Sequence, residues 1–128
     1  MILDSTFLND LVRGRGDADA VLDELIDAGT PVALSSLTVF EVGVGLRDEA
    51  EQHRQRFSTV TDELEVVPLG VSAARHALAI QRDLYDQGEP IGAVDVLIAG
   101  TAAERDEDVL TRNVDEFERV RNVNVETY

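Results

Sequence analysis

Five short strand-like runs, at Met1–Leu3, Val32–Leu34, Leu64–Leu69, Asp108–Thr111 and Asn122–Glu126, are each separated from the next by one or two segments of helical spacing, and this alternation constrains the fold more than any other feature. The first two runs are purely aliphatic, as expected of strands buried on both faces. Parallel strands need a crossover of about a dozen residues or more, usually a helix. The alternation therefore predicts an α/β chain folded as a three-layer α/β/α sandwich around a mainly parallel sheet. Sheets of that kind place their ligands beyond the carboxyl ends of the strands. No linker, repeat or low-complexity segment interrupts residues 1–128, so a single domain is expected.

The helices announce themselves by their stripes and punctuation. Ser5 or Thr6 can cap a first helix whose apolar residues are Phe7, Leu8, Leu11 and Val12, with Gly14 and Gly16 ending it. A second starts at Asp17, carries the apolar stripe Val21, Leu22, Leu25 and Ile26, and stops at Gly29 and Pro31. Ser35 and Ser36 are of the residue type that caps a helix and precede a third, which carries Glu41. Residues 49–62 read as an exposed helix. Val71–Tyr85 reads as a long amphipathic one with Ala74, Ala77, Leu78, Gln81, Leu84 and Tyr85 on one face. After a loop at Gly88, Pro90 and Gly92 come a nearly apolar helix, Ala93–Ala103, and a short one, Val114–Arg119.

Composition narrows the chemistry. The chain is 44% hydrophobic but 5% aromatic, so its core must be aliphatic. It has no cysteine, which excludes disulfides, thiolate nucleophiles and cysteine-bound zinc, and leaves oxygen or histidine to hold any metal. His53 and His76 stand apart on surface helices. No run approaches the 18 or so apolar residues of a membrane span, and Met1–Asp4 has no basic leader, so a cytoplasmic protein with no membrane partner is expected. Against 26 acids stand 11 bases, all arginine, for a net charge of −15. Self-repulsion keeps such a chain soluble, and the same balance predicts a halophilic protein suited to a salty cytoplasm. It also argues against nonspecific coating of nucleic acid, though not against an enzyme that meets phosphate through a metal ion.

Among so many carboxylates only the misplaced ones inform. Asp4 follows the first aliphatic run at the strand end that faces the ligand crevice; its alternative use is as a helix N-cap. Glu41 is the only charge between Gly29 and Leu46 and shares a helical face with Leu37 and Val44, which suggests an inward acid; the alternative is an ion pair with Arg13 or Arg112. Asp95 is the only charge between Pro90 and Ala103 and sits in a first helical turn, where the helix dipole alone would favour it. Asp115, Glu116 and Glu118 crowd after the fourth strand, and Asp115 is preferred as nearest the strand end. Oxygen ligands of this type suit Mg²⁺, or Mn²⁺, which keep several waters and bridge carboxylates to phosphate.

The order Met1-Ile2-Leu3-Asp4-Ser5, then Leu37-Thr38-Val39-Phe40-Glu41-Val42, then Asp95-Val96-Leu97-Ile98-Ala99, then Thr111-Arg112-Asn113 through Asp115-Glu116-Phe117 resembles the PIN-domain family, and within it the VapC toxins, over essentially the whole chain. The resemblance implies a Mg²⁺-dependent endoribonuclease that forms a homodimer and is neutralised by a small antitoxin protein. It also implies that Asp4, Glu41, Asp95 and Asp115 form the acidic quartet, with Ser5 and Thr111 as supporting hydroxyls and Asn113 as a polar neighbour. Thr6 departs from the commoner asparagine. With lysine absent, Arg13, Arg15, Arg112, Arg119 and Arg121 are the candidates for contact with the RNA backbone near the crevice, the first, second and third of them foremost.

On this reading the metal activates a water for phosphodiester hydrolysis, Asp4, Asp95 and Asp115 bind the metal, and Glu41 binds it or positions the water. Two rivals remain open at this stage. An aspartyl-phosphate phosphatase would also begin with a strand ending in aspartate, but it depends on a lysine this chain lacks. A catalytically silent module would keep the acid pocket only for docking an antitoxin or RNA.

Overall fold

The computed structural model describes residues 1–128 and has twelve elements. They are β1 (Ile2–Leu3), α1 (Ser5–Arg13), α2 (Ala18–Asp27), β2 (Ala33–Ser35), α3 (Ser36–Gly45), α4 (Glu51–Glu63), β3 (Glu65–Val67), α5 (Val71–Gln87), α6 (Ala93–Arg105), β4 (Val109–Leu110), α7 (Val114–Phe117) and β5 (Val125–Glu126). The five strands form one sheet in the order β3-β2-β1-β4-β5, and every pair is parallel. Ile2 is in register with Ala33 on one side and Val109 on the other. The chain thus builds outward from β1 in one direction as far as β3, then crosses back to add β4 and β5 on the opposite flank. That reversal opens a crevice at the carboxyl ends of β1 and β4.

Because neighbouring side chains of a strand point to opposite faces, each two- or three-residue strand feeds both layers. Ile2, Ala33 and Val109 pack with Ala77, Leu84, Ile98, Ala99 and Phe117 under α5, α6 and α7. Leu3, Leu34 and Leu110 pack with Phe7, Leu8, Leu11, Val42 and Val60 under α1 to α4. Two aliphatic cores separated by one sheet make up the expected three layers, and a fully buried leucine in either stabilises by about 1.5–3 kcal/mol.

Local signals place the helices. Asp4 caps α1, and Gly14 ends it with a left-handed φ of 64° that returns its N–H to Asp10 and Leu11. Ser35 caps α3 by accepting from the Leu37 N–H at 3.2 Å, whereas the Ser36 hydroxyl accepts from the Leu69 N–H and ties β3 to α3. Where α5 meets α6, Gly100 is required by contact rather than by φ: a Cβ there would lie 2.7 Å from the Ala73 carbonyl oxygen and from Ala77. The two helices touch backbone to backbone.

The strands are shorter than the apolar runs suggest, most clearly at the end, where Asn122 takes a left-handed turn and pairing is confined to Val125 and Glu126. The α5 stripe is also corrected. Ala73, Ala77 and Leu84 are buried, but Ala74, Leu78 and Tyr85 face outward, because α6 covers only one side of the helix and the apolar face is wider than that side. No helix is long and apolar enough to cross a membrane.

Candidate active site

Asp4 leaves β1 at the switch in strand order and is 1% exposed. It serves as both cap and site residue. Its Oδ1 accepts from the Phe7 N–H at 3.0 Å and from the Thr6 hydroxyl at 2.7 Å, while Oδ2 accepts from the Thr111 hydroxyl. A carboxylate offers about four acceptor positions, so three bonds leave capacity for one further partner. Burial pushes the Asp4 carboxyl up from its ordinary value, and the hydrogen bonds from Thr111, Thr6 and Phe7 pull the other way.

Thr111, fully buried at the end of β4, also accepts from the Asn113 N–H at 2.8 Å. Thr6 accepts from the Arg112 N–H at 3.0 Å. Two hydroxyls therefore stitch the turn after β1 to the turn after β4: each gives its proton to Asp4, Thr6 receives one from the backbone of the opposite turn, and Thr111 receives one from its own. Thr6 is a residue the sequence reading passed over as a mere departure. Its signal was available: a hydroxyl two residues after a capping aspartate can bond back to it.

Asp95 enters from the first turn of α6 and is half-buried. Its carboxyl is raised from the ordinary 3.8 to about 7, first by burial, then by a shared hydrogen bond and like charge from Glu116, then by the charges of Asp4 and Glu41. The Asn113 amide stands 3.5 Å from its Oδ2. Asp4, Ser5, Glu41, Asp95 and Asn113, with Thr6 and Asn9, border a cleft of about 390 Å³ that has no basic side chain among its lining residues.

Two site expectations need correction. Asp115 is exposed, does not line the cleft and is absent from the charges that act on Asp95; the α7 acid that does act on Asp95 is Glu116. The helical wheel explains the exchange. Phe117 is fully buried and orients α7; at about 100° per residue Glu116 flanks it, while Asp115 lies about 200° away and points to solvent. Glu41 does reach the cleft, but as an exposed residue on its rim rather than an inward acid, and it pairs with no arginine. Val44, which shares its helical face, is 59% exposed and the neighbouring Phe40 72%, so the face that suggested burial is turned outward.

The basic candidates are mostly engaged. Arg13 bonds Glu49 at 2.9 Å and Asn9, and Arg112 bonds Asp10 at 3.1 Å while lying over the Tyr128 ring. Arg119 bonds the Pro90 carbonyl and Arg121 lies near Asp83, away from the crevice. Arg15 is exposed and makes no ion pair.

The donor set fits a hard divalent cation. It consists of carboxylates, an amide and hydroxyls, and the Ser5 hydroxyl is buried at the cleft without any hydrogen-bond partner. Burying several carboxylates without a cation is costly, which the raised Asp95 expresses directly. No three of the acids are drawn close enough to enclose an ion by themselves. A shell completed by water would be needed, as is usual for Mg²⁺.

Residues 1–123 match the family model of the PIN domain. Ribonuclease VapC19 of Mycobacterium tuberculosis is 35% identical over 120 residues, covering 91% of this chain and 90% of that protein. The tRNA(fMet)-specific endonuclease VapC of Salmonella typhimurium is 31% identical over 99 residues, 76% of this chain and 75% of its own. Among solved structures, VapBC2 from Rickettsia felis bound to a promoter DNA fragment superposes with a TM-score of 0.89 at 22% identity, covering 99% of this chain and 97% of that one. DNA-bound VapBC from Salmonella typhimurium follows at 0.83 and 26%, covering 98% and 96%.

Proposed function

The chain belongs to the PIN-domain family, and from that footing we propose that it is a Mg²⁺-dependent endoribonuclease, the toxin of a toxin–antitoxin pair, with Mn²⁺ as an alternative ion. The observation that carries the reading is the convergence of Asp4, Asp95 and Glu41 on one cleft with no basic residue in its lining, with Glu116 acting on Asp95 from α7 beside it. An anionic substrate would be repelled from such a cleft unless a cation inverted the local field.

Asp4, Asp95 and Glu116 would hold the ion, which when bound supplies charge stabilisation at the phosphate and a water of lowered pKa. The hydroxyls of Thr6 and Thr111 favour the ionised form of Asp4 against the effect of burial and fix its orientation. Asn113 holds Asp95 Oδ2 against rotation. Glu41, on the solvent side, is placed to accept a proton from the incoming water at its carboxylate. The Ser5 hydroxyl would orient a water in the cleft.

A small antitoxin is part of the proposal, supported by relatives whose solved structures are VapBC complexes. So is a homodimer, supported by the apolar surface that α5 leaves open at Val71, Leu78 and Tyr85. Incubation of the purified protein with total RNA tests the central claim. Cleavage with Mg²⁺ or Mn²⁺, abolished by EDTA and by Asp4→Ala, is the expected result. Intact RNA under every condition would favour a silent binding module instead.

A further inference from the structure

Beside the acidic cleft, and joined to it through Thr6 and Asn9, lies a second cleft of about 470 Å³ with no hydrophobic residue in its walls. Arg13, Arg15 and Arg112 line it, three of the eleven bases in a chain of net charge −15. Two acids line it as well, and they differ. Asp10 is buried, accepts from the Tyr128 hydroxyl at 2.7 Å and pairs with Arg112, so it belongs to the framework. Glu49 lies just before α4 on the open side of the cleft, where its Oε1 receives Nε and Nη2 of Arg13 at 3.3 and 2.9 Å. The Arg13 side chain is 10% exposed and braced by Asn9, so its guanidinium is held in place whichever anion it faces. Arg15 at the rim has no partner.

A guanidinium that accepts a carboxylate through two N–H groups accepts a phosphate by the same geometry. We propose that this second cleft binds an RNA phosphate neighbouring the one cleaved, with Arg15 as its free contact and Glu49 as an internal competitor that the phosphate displaces from Arg13. The inference rests on the endoribonuclease reading and adds to it the direction in which the strand leaves the acidic cleft, past Asn9 toward α4. It also explains how so acidic a chain can hold RNA without holding it tightly. A phosphate oxygen in place of the Glu49 carboxylate would leave the largely buried Arg13 guanidinium paired, so the exchange strands no charge.

The test uses a short fluorescein-labelled single-stranded RNA of mixed sequence and the Asp95→Asn background to suppress cleavage, with anisotropy read across a NaCl series in Mg²⁺. In that background Arg15→Gln weakens binding about two- to five-fold and flattens the dependence of log affinity on log salt by about 0.7, the loss of one phosphate contact on a single strand. Glu49→Gln strengthens binding by a similar factor. A purely structural role for Glu49 would lower the melting temperature and leave affinity unchanged, and that outcome overturns the proposal. If the unmodified chain cuts RNA while neither variant moves affinity or salt dependence, the second cleft is not a phosphate site and the endoribonuclease reading stands. If RNA is neither bound nor cut with Mg²⁺ or Mn²⁺, both fall.

Discussion

Asp95→Asn should abolish cleavage yet make the metal-free protein more stable. The substitution keeps the shape of the side chain and removes the charge that burial, Glu116, Asp4 and Glu41 all oppose. Raising a carboxyl from 3.8 to about 7 changes its proton affinity roughly a thousand-fold, about 4 kcal/mol at 1.36 kcal/mol per decade. Asp95 is only half-buried, and solvent screening reduces the recoverable part to about 1–2 kcal/mol. For a domain of this size that corresponds to a rise of about 3–8 °C in melting temperature. The pH dependence has a definite sign. Between about pH 4 and pH 7 the folded protein holds a proton on Asp95 that the unfolded chain has released, so stability falls as pH rises through this window. The advantage of the asparagine variant is therefore full at pH 8, less than half as large at pH 5, and gone near pH 4. Thermal melts of both proteins in EDTA at pH 8 and pH 5 would measure it. Mg²⁺ should then stabilise the parent more than the variant, since binding to the folded state alone shifts the equilibrium. An asparagine variant less stable than its parent at pH 8, or one whose advantage is the same at both pH values, would refute the reasoning.

Other consequences are simpler to state. Thr111→Val removes a buried hydroxyl that donates to Asp4 and accepts from Asn113, at a cost of about 1–3 kcal/mol in a denaturant titration. With that donor gone the Asp4 carboxyl rises further, so the acid limb of the cleavage pH profile should move to higher pH; an unmoved limb would show that Thr111 does not tune Asp4. Gly100→Ala improves helix propensity by about 1 kcal/mol yet forces a methyl into the α5 backbone, and a net loss of stability is expected on melting; a gain would mean that the two helices separate easily. Melting temperature should climb with KCl as screening relieves the −15 charge, and a fall would dismiss the halophilic expectation.

The layers and their order were legible in the sequence because runs such as Met1–Leu3 and Val32–Leu34 have no plausible place but a buried sheet. Asp4 was legible for the same reason, as a charge fixed to the end of such a run. Glu41 shows the limit of the method. Its helix is apolar on a face that the single chain does not cover, so periodicity reported a surface open to a partner as though it were core. Glu116 failed differently: α7 is four residues long, too short for a stripe, and only the direction of Phe117 tells its acids apart. Thr6 and the Arg13–Glu49 pair depend on contacts across long stretches of chain, which no local pattern records.

The central position of β1 bears on how the protein is made. During synthesis β1 is paired on one side by β2 but waits for β4, more than a hundred residues later, on the other. Asp4 is synthesised more than a hundred residues before Thr111, Asn113 and Glu116. At about 5–20 residues per second several seconds separate them. Through that interval the growing chain holds its first carboxylate without the hydroxyl that orients it or the acids that complete the cleft. A site assembled in this order becomes complete in one late step, once the segment carrying β4 and α7 has been made, and a polypeptide abandoned before that step lacks the finished cleft.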